Sequence, residues 1–303
     1  MHKYVKLNKI DIYGVEIIYV MEKIIIRNYT KQDEASIMNI AVGKYFDELK
    51  GYSRENIMVA EYGGNVVGYS YVSSTGAGYF FVLVYVSSEY RRHNIGTQLY
   101  WEAEQRCLES NCIEIFTNYY EEDGATEFAK KLGAKYITSS DIMKYSGVLI
   151  SEEELINLIS EKELIIRQYK DEDYLRFQYL WSYGLYEMHK RIGLPVNEPF
   201  KIDESYREQY HNDVDNLYIL ESNGHIVGVG SQLGNSIGLL AVDTNYNNYG
   251  YGTVLAKYLT NQILKDNKEV YITCETGNNN ALHIYEKIGY KKLYKDYWAI
   301  KKF

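Results

Sequence analysis

Residues 247–255 read NNYGYGTVL, two glycines one residue apart directly ahead of an apolar run. A helix that starts there leaves the N–H groups of its first turn without intrahelical partners, and about half a positive charge from the helix dipole gathers at the same end. Gly250 and Gly252 remove the Cβ atoms that would hold a diphosphate at a distance, and Thr253 adds a hydroxyl. The pattern fits an anion cradle of pyrophosphate size, although a tight turn without a ligand accounts for a lone Gly-x-Gly equally well. It is not the dinucleotide fingerprint, because Leu255 stands where the third glycine belongs and the preceding strand is the fourth of its domain. The Gly-Lys-Ser/Thr of a nucleoside-triphosphate loop is also missing. A rougher version, RRHNIGTQL, occupies residues 91–99.

The elements that must position these loops recur as well. IIIRNYTKQD (24–33) and LIIRQYKDED (164–173) share R-x-Y-x-x-x-D, Arg27 standing 140 residues before Arg167. Each runs an apolar strand into a helix start, with Thr30 and Asp33 placed as an N-cap and its reciprocal carboxylate. NIMVAEYGGNVVGYSYV (56–72) and NLYILESNGHIVGVGSQL (216–233) are alternating runs joined at Gly63-Gly64 and Asn223-Gly224, both hairpin signals, with Gly68 offset by 160 from Gly228. The glycine loops, and the segments ending in Gly133 and Gly289, are offset by 156.

Four landmarks in one order describe a duplicated domain. Each copy reads as strand, helix, hairpin, third apolar strand, glycine loop, helix, strand, helix, an α/β fold with a mixed sheet. The first copy is assigned residues 1–150, a connecting helix 151–163 with a Ser151/Glu154 capping box, and the second copy 164–303. The change of offset from 140 to 160 places a 20-residue insertion in the second copy, around MHKRIGLPVNEPFKIDESYREQYH, which holds both prolines, Pro195 and Pro199. That segment reads as an ordered loop on the substrate side or as decoration.

LLAVDTNYNNYGYGTVL followed by NNNALHIYEKIGY resembles the two signature segments of the GNAT superfamily of acyl-CoA N-acyltransferases, and the resemblance extends over both halves of the chain. It implies two tandem GNAT-like domains using acetyl-CoA as coenzyme and acyl donor. Val242 matches the family's strand valine, Asn247 takes the place of a usual Arg or Gln, and Asn248, Tyr249, Gly250, Tyr251, Gly252 and Thr253 complete the diphosphate loop. The pantetheine arm then pairs like an added strand along Leu240, Ala241 and Val242. Asn278 and Ala281 match the second segment. Tyr285 matches the tyrosine that protonates the departing thiolate.

The same resemblance gives the first copy a second coenzyme site at Val84, Val86, Arg91, Arg92, Asn94, Gly96 and Thr97, where Asn94 replaces the first glycine and tolerates positive φ. Ala129 stands in the place of Tyr285 and Glu122 in that of Asn278, so this copy is expected to be catalytically degenerate. For the general base, Glu221, Asp243 and Glu275 are candidates. His283 is expected to be structural, since its neighbour on a helix faces about a hundred degrees away. The expected reaction is direct attack of a primary amine on the thioester. The alternative is a protein that binds or senses acyl-CoA without turnover, favoured by Asn247 and the altered first copy.

Composition narrows the class. The 303 residues carry 41 acidic against 33 basic side chains, a formal charge of −8, which opposes binding to nucleic acid or anionic lipid. Glu187, Glu198, Asp203 and Glu204 around the insertion suggest a cationic amine acceptor, small molecule or peptide. Cys107, Cys112 and Cys274 show no metal-ligand spacing, so no metal is expected, and their odd number fits a reducing cytoplasmic location. The apolar stretch at 10–26 is interrupted by Asp11, Glu16, Glu22 and Lys23 too often for a membrane span or a signal core. The 34 tyrosines are scattered along the chain and read as compositional drift rather than a stacking platform. Two domains in one chain are compatible with a monomer or a homodimer.

Overall fold

A computed structural model describes residues 7–12, 15–20, 23–41, 49–120, 124–194, 196, 204 and 207–303. The described chain divides into two compact units, Met1–Tyr136 with Trp298–Phe303, and Ile137–Tyr297. Both are mixed α/β, as the element order of the sequence requires.

In the first unit the hairpin β1 (Leu7–Ile12) and β2 (Val15–Val20) forms a small sheet of its own. The main sheet runs β3 (Ile25–Asn28), β4 (Ile57–Tyr62), β5 (Asn65–Gly76), β6 (Tyr79–Val86) and β7 (Glu114–Tyr120), all antiparallel except β6 with β7. Helices α1 (Glu34–Ile40), α2 (Ile95–Glu109) and α3 (Ala125–Lys131) pack on it. Ile95, Leu99, Ala103 and Cys107 recur at helical spacing on α2, the first two buried with Ala60 and Val67 of the strands and the last two with Val82 and Ile115.

The second unit opens with α4 (Glu152–Glu161), where Ser151 accepts from the Glu154 N–H at 3.3 Å, the cap expected from sequence. Its sheet runs β9 (Leu164–Gln168), β10 (Leu217–Ser222), β11 (His225–Leu233), β12 (Ser236–Val242), β13 (Val270–Glu275) and β8 (Lys135–Tyr145). Again the ladders are antiparallel except for one, β12 with β13. Helices α5 (Tyr174–Ile192), α6 (Arg207–Asn212), α7 (Tyr251–Leu264) and α8 (Asn279–Ile288) complete it. Val254, Leu255, Leu259 and Ile263 bury one face of α7 against Val227, Val270 and Ile272.

The compact units do not coincide with the copies read from sequence, because the last strand of each copy was not foreseen. Strand β8 follows the first copy in sequence but pairs with β13, Tyr145 opposite Val270 and Ser140 opposite Glu275. Strand β14 (Lys291–Lys302) follows the second copy, yet its end belongs to the first unit, where the Phe303 N–H donates to Ile113 O at 3.0 Å and Lys302 pairs with Glu114 at 2.8 Å. The copies exchange their closing strands, so the boundary at residue 150 follows the repeat and not the packing. The inserted segment is also more ordered at its start than a loop. Residues 188–192 continue α5, and Gly193 ends the helix in the left-handed conformation. Pro195, Pro199, Glu198 and Asp203 lie outside the described residues.

The R-x-Y-x-x-x-D landmark is a clamp. Arg27 forks onto both oxygens of Asp33 at 2.7 Å and onto Glu61 at 3.0 Å, while Asp33 accepts from the Thr30 N–H at 2.7 Å. Arg167 makes the same contacts with Asp173 and Glu221. The Arg27 guanidinium holds the Asp33 carboxyl down at about 2. Because its folded-state value is depressed, this carboxylate contributes full stability above its unfolded value near 4 and loses it as pH falls toward 2. Asp33→Asn should therefore cost about 2 to 3 kcal/mol at neutral pH in urea unfolding. The gap to the parent protein should narrow from about pH 4 downward and close only at about pH 2, and a pH-independent gap would show that the carboxylate charge is not what stabilises the turn.

Candidate functional site

The site begins with a surplus residue. Leu239 pairs with Ser231 and Ile237 with Gln232, which leaves Gly238 as a bulge on β12. The parallel ladder between β12 and β13 holds only Ser236 with Tyr271 and Ile237 with Ile272. Beyond that point β12 stays bonded to β11 on one edge, and among the described residues its other edge, over Leu239–Val242, has no strand partner.

Strand β12 then leads through a short turn at Thr244–Tyr246 into the glycine loop. Asn248 and Gly250 both take the left-handed conformation, with φ of 68° and 79°. The N–H groups of Thr253 and Val254 turn back to Gly250 O. Among the described residues no backbone carbonyl accepts from Asn248, Gly250, Tyr251 or Gly252, so four N–H groups remain for a ligand at the start of α7. A Cβ on Gly252 would sit 3.4 Å from Ile284 Cδ1 and 3.9 Å from Val242 Cγ2, so a side chain longer than alanine would fill the space.

The free strand edge and this loop line one groove of about 530 Å³. Leu240, Ala241, Val242, Asn247, Asn248, Gly250, Tyr251, Gly252, Thr253 and Asn278 are on its wall, as are Ala281 and Ile284. Tyr249 is outside the wall, exposed, with its carbonyl bonded by Lys162 at 2.9 Å. Tyr285 is not on the wall either. It is 6 % exposed, its ring 5.9 Å from that of Tyr290 and packed in the core with Cys274. Burial pushes its phenol far up from the ordinary tyrosine value, so it stays protonated.

Sequence reading missed the opposite wall. Trp181, Gly184, Leu185, Glu187, Met188 and Arg191 of α5 face the groove, and a Cβ on Gly184 would lie 3.4 Å from Ala241 Cβ, so the helix rides close over β12. Arg191 Nη2 donates to Asn278 Oδ1 at 3.0 Å. His283, expected to be structural, is also on the groove wall. Trp181, Gly184, Leu185, Met188 and Arg191 recur at helical spacing, a stripe legible in the sequence ahead of the prolines and acids that follow.

The candidate bases separate. Glu221 is held by Arg167 at 2.7 Å, and Asp243 is buried, paired with Arg176 while accepting from the Asn245 N–H at 2.9 Å. Both are structural. Glu275 instead faces His189 Nε2 at 3.3 Å and the Thr138 hydroxyl at 3.5 Å. Of the acids around the insertion, Glu204 is paired with Arg207 at 2.8 Å, whereas Glu187 faces the groove beside Tyr183, whose phenol it pushes up.

In the first unit the loop backbone is the same. Arg92 and Asn94 have φ of 67° and 62°, and Asn94 caps α2 in the left-handed form that Gly250 uses for α7. Its side chains differ in what they reach. Arg91 Nε donates to Val86 O at 3.0 Å, and Arg92 lies against Gly124, where a Cβ would meet its guanidinium at 2.7 Å. Phe128 covers Gly96, with 3.3 Å between its ring and a Cβ there. Thr97 is buried, and Val84 and Val86 pack against the buried cluster around Ile95 and Leu99. Glu122 lies outside the described residues.

Two family models match the chain: the one described as acetyltransferase (GNAT) family over residues 21–134, and the FR47-like protein model over residues 228–299. The chain is a tandem GNAT-superfamily protein. A solved GCN5-related N-acetyltransferase from Sphaerobacter thermophilus is similar at a TM-score of 0.66 and 14% identity, over 92% of this chain and 95% of that one. A tandem GNAT protein from the clavulanic acid biosynthesis pathway is similar at 0.63 and 13%, over 92% and 98%. At these identities the likeness is one of fold. No curated protein matches the chain by sequence. The GNAT fold supports acyl-CoA N-acyltransferase activity for this tandem protein. No helix among the described residues is long and apolar enough to cross a membrane.

The groove is tested by filling it. Gly252→Val should keep the fold, with a melting temperature within a few degrees of the parent, yet lose the stabilisation that saturating coenzyme A gives, about 2.7 kcal/mol at a hundredfold excess over Kd. Gly252→Ala should retain it. A full coenzyme shift in the valine variant would place the coenzyme elsewhere.

Proposed function

We propose that the second unit is an acetyl-CoA-dependent N-acetyltransferase acting on a primary amine, and that the first unit is a copy without catalysis. One observation carries the reading. The unpaired edge of β12 at Leu239–Val242 and the four unbonded N–H groups of the glycine loop line the same groove, one suited to an extended amide chain and the other to a diphosphate. Bound there, coenzyme A would supply an activated thioester. The chain's own groups would do the rest.

Free N–H groups along β12 would hold the thioester carbonyl as charge builds on its oxygen. Tyr285, kept protonated by burial, would give its proton to the departing sulfur. Glu275 with His189 is the carboxylate–imidazole pair available to take a proton from the amine, directly or through water. Glu187 would draw a cationic acceptor to the α5 wall, where Trp181, Leu185 and Met188 offer apolar contact. A cytoplasmic location and a monomeric or homodimeric state fit this reading. So does a small-molecule or peptide amine as substrate, without nucleic acid, metal or membrane.

A second reading, coenzyme binding without turnover, is favoured by one fact: the Tyr285 ring lies in the core and not on the groove wall. Release of free coenzyme A from acetyl-CoA, followed with a thiol reagent across a panel of amines, separates the two. Turnover with at least one amine is expected, and Tyr285→Phe should lower kcat by about 10² to 10⁴ with coenzyme affinity unchanged. Tight coenzyme binding with no release for any amine would establish the second reading, and an unchanged kcat would remove Tyr285 from the mechanism.

A further inference from the structure

The glycine loop of the second unit, residues 244–253, contains no ionisable side chain other than tyrosine, and Asn247 stands where a cation is usual. The helix dipole adds only about two- to fivefold to anion affinity at this end, a small part of the roughly million-fold that micromolar binding needs. A diphosphate held here gains from a positive charge, and the structure brings one from outside both signature segments.

Lys162 follows the last residue of α4, and its Nζ donates to Tyr249 O at 2.9 Å. A Cβ on Gly250 would lie 3.5 Å from both Nζ and Cε, so the ammonium rests directly over the first glycine of the loop. The position is fixed from both sides. Leu155 is buried in the core and Glu154 pairs with Lys257 of α7, which ties α4 to the helix that the loop precedes. On the other side Glu163, with φ of 49°, turns the chain at once into β9. Among the described residues no carboxylate lies within ion-pair distance of Lys162, and its one hydrogen bond uses one of three donors.

We propose that Lys162 is the cation of the coenzyme diphosphate site, supplied by the connecting helix in place of the loop side chain that Asn247 lacks. The inference rests on the coenzyme reading given above. One N–H holds the loop by the Tyr249 carbonyl at the rim of the groove, and the two remaining donors on its flexible stem would swing to the diphosphate oxygens when the coenzyme binds. An ammonium suits this task because it is a compact point charge with no fixed fork to align. In the first unit Arg91 and Arg92 carry the charge within the loop itself, so the two copies would have solved one electrostatic need from different places in the chain.

Calorimetric titration of the full chain tests this with coenzyme A, 3′-dephospho-coenzyme A and pantetheine, which lacks the diphosphate. Lys162→Met should weaken both diphosphate ligands by about tenfold and leave pantetheine unchanged, and Lys162→Arg should restore most of the loss. Equal coenzyme A affinity in the parent and Lys162→Met would overturn the proposal while leaving the coenzyme site intact. A parallel loss of pantetheine affinity would also overturn it, showing that the lysine only shapes the loop. No coenzyme A binding by the parent protein would instead bring down the coenzyme reading itself.

Discussion

Gly238 is one residue more than β11 can match, and from this point β12 parts from β13 after two paired rungs. A buried strand edge without partners is costly, because each N–H and C=O removed from water must be bonded. The second unit leaves that edge open over Leu239–Val242 and lays α5 across from it, so the gap becomes a groove instead of a sealed core. The direction of β12 beyond the bulge then sets where the glycine loop falls and where the first turn of α7 points. Loop, groove and helix end all lie where β12 departs from regular pairing.

The first unit shows how much of this is backbone and how much is side chain. Strand β6 also leaves β7 early, after pairs from Tyr79 to Phe81, and its loop repeats the two left-handed residues at the same positions. Asparagine at 94 reproduces the conformation of glycine at 250, which is why the loop survives the substitution. The side chains around it differ. Phe128 lies where the second unit has Ile284, Ala129 stands in place of Tyr285, and among the described residues α1 is 7 residues long against 19 in α5. Both copies keep the frame, and the longer α5 of the second gives its groove the other wall.

The order of elements, the hairpins at Gly63-Gly64 and Asn223-Gly224, the cap at Ser151 and the glycine loops were legible because each rests on local rules: alternation, turn residues, capping chemistry. The closing strands β8 and β14 were not, since nothing local in a strand says which neighbour it will pair with. The lone glycine within SIGLLAV is a local bulge signal, but which neighbour the strand leaves is again set by distant residues. Glu221 looked like a free carboxylate because its partner Arg167 is distant in sequence, and Asp243 was hidden in the same way by Arg176. Lys162 had no motif at all. It becomes meaningful only when α4 is docked beside the loop, 87 residues further along the chain.

The account stands on the claim that the parted strand and the loop of the second unit together receive coenzyme A. Amide hydrogen exchange of the intact chain, with and without coenzyme A, reports on both at once. Added protection at residues 239–242 and 248–254, exceeding any change at the corresponding 83–86 and 92–98 of the first unit, is the expected result. Protection confined to the first unit, or none in either loop at saturating coenzyme, would contradict it.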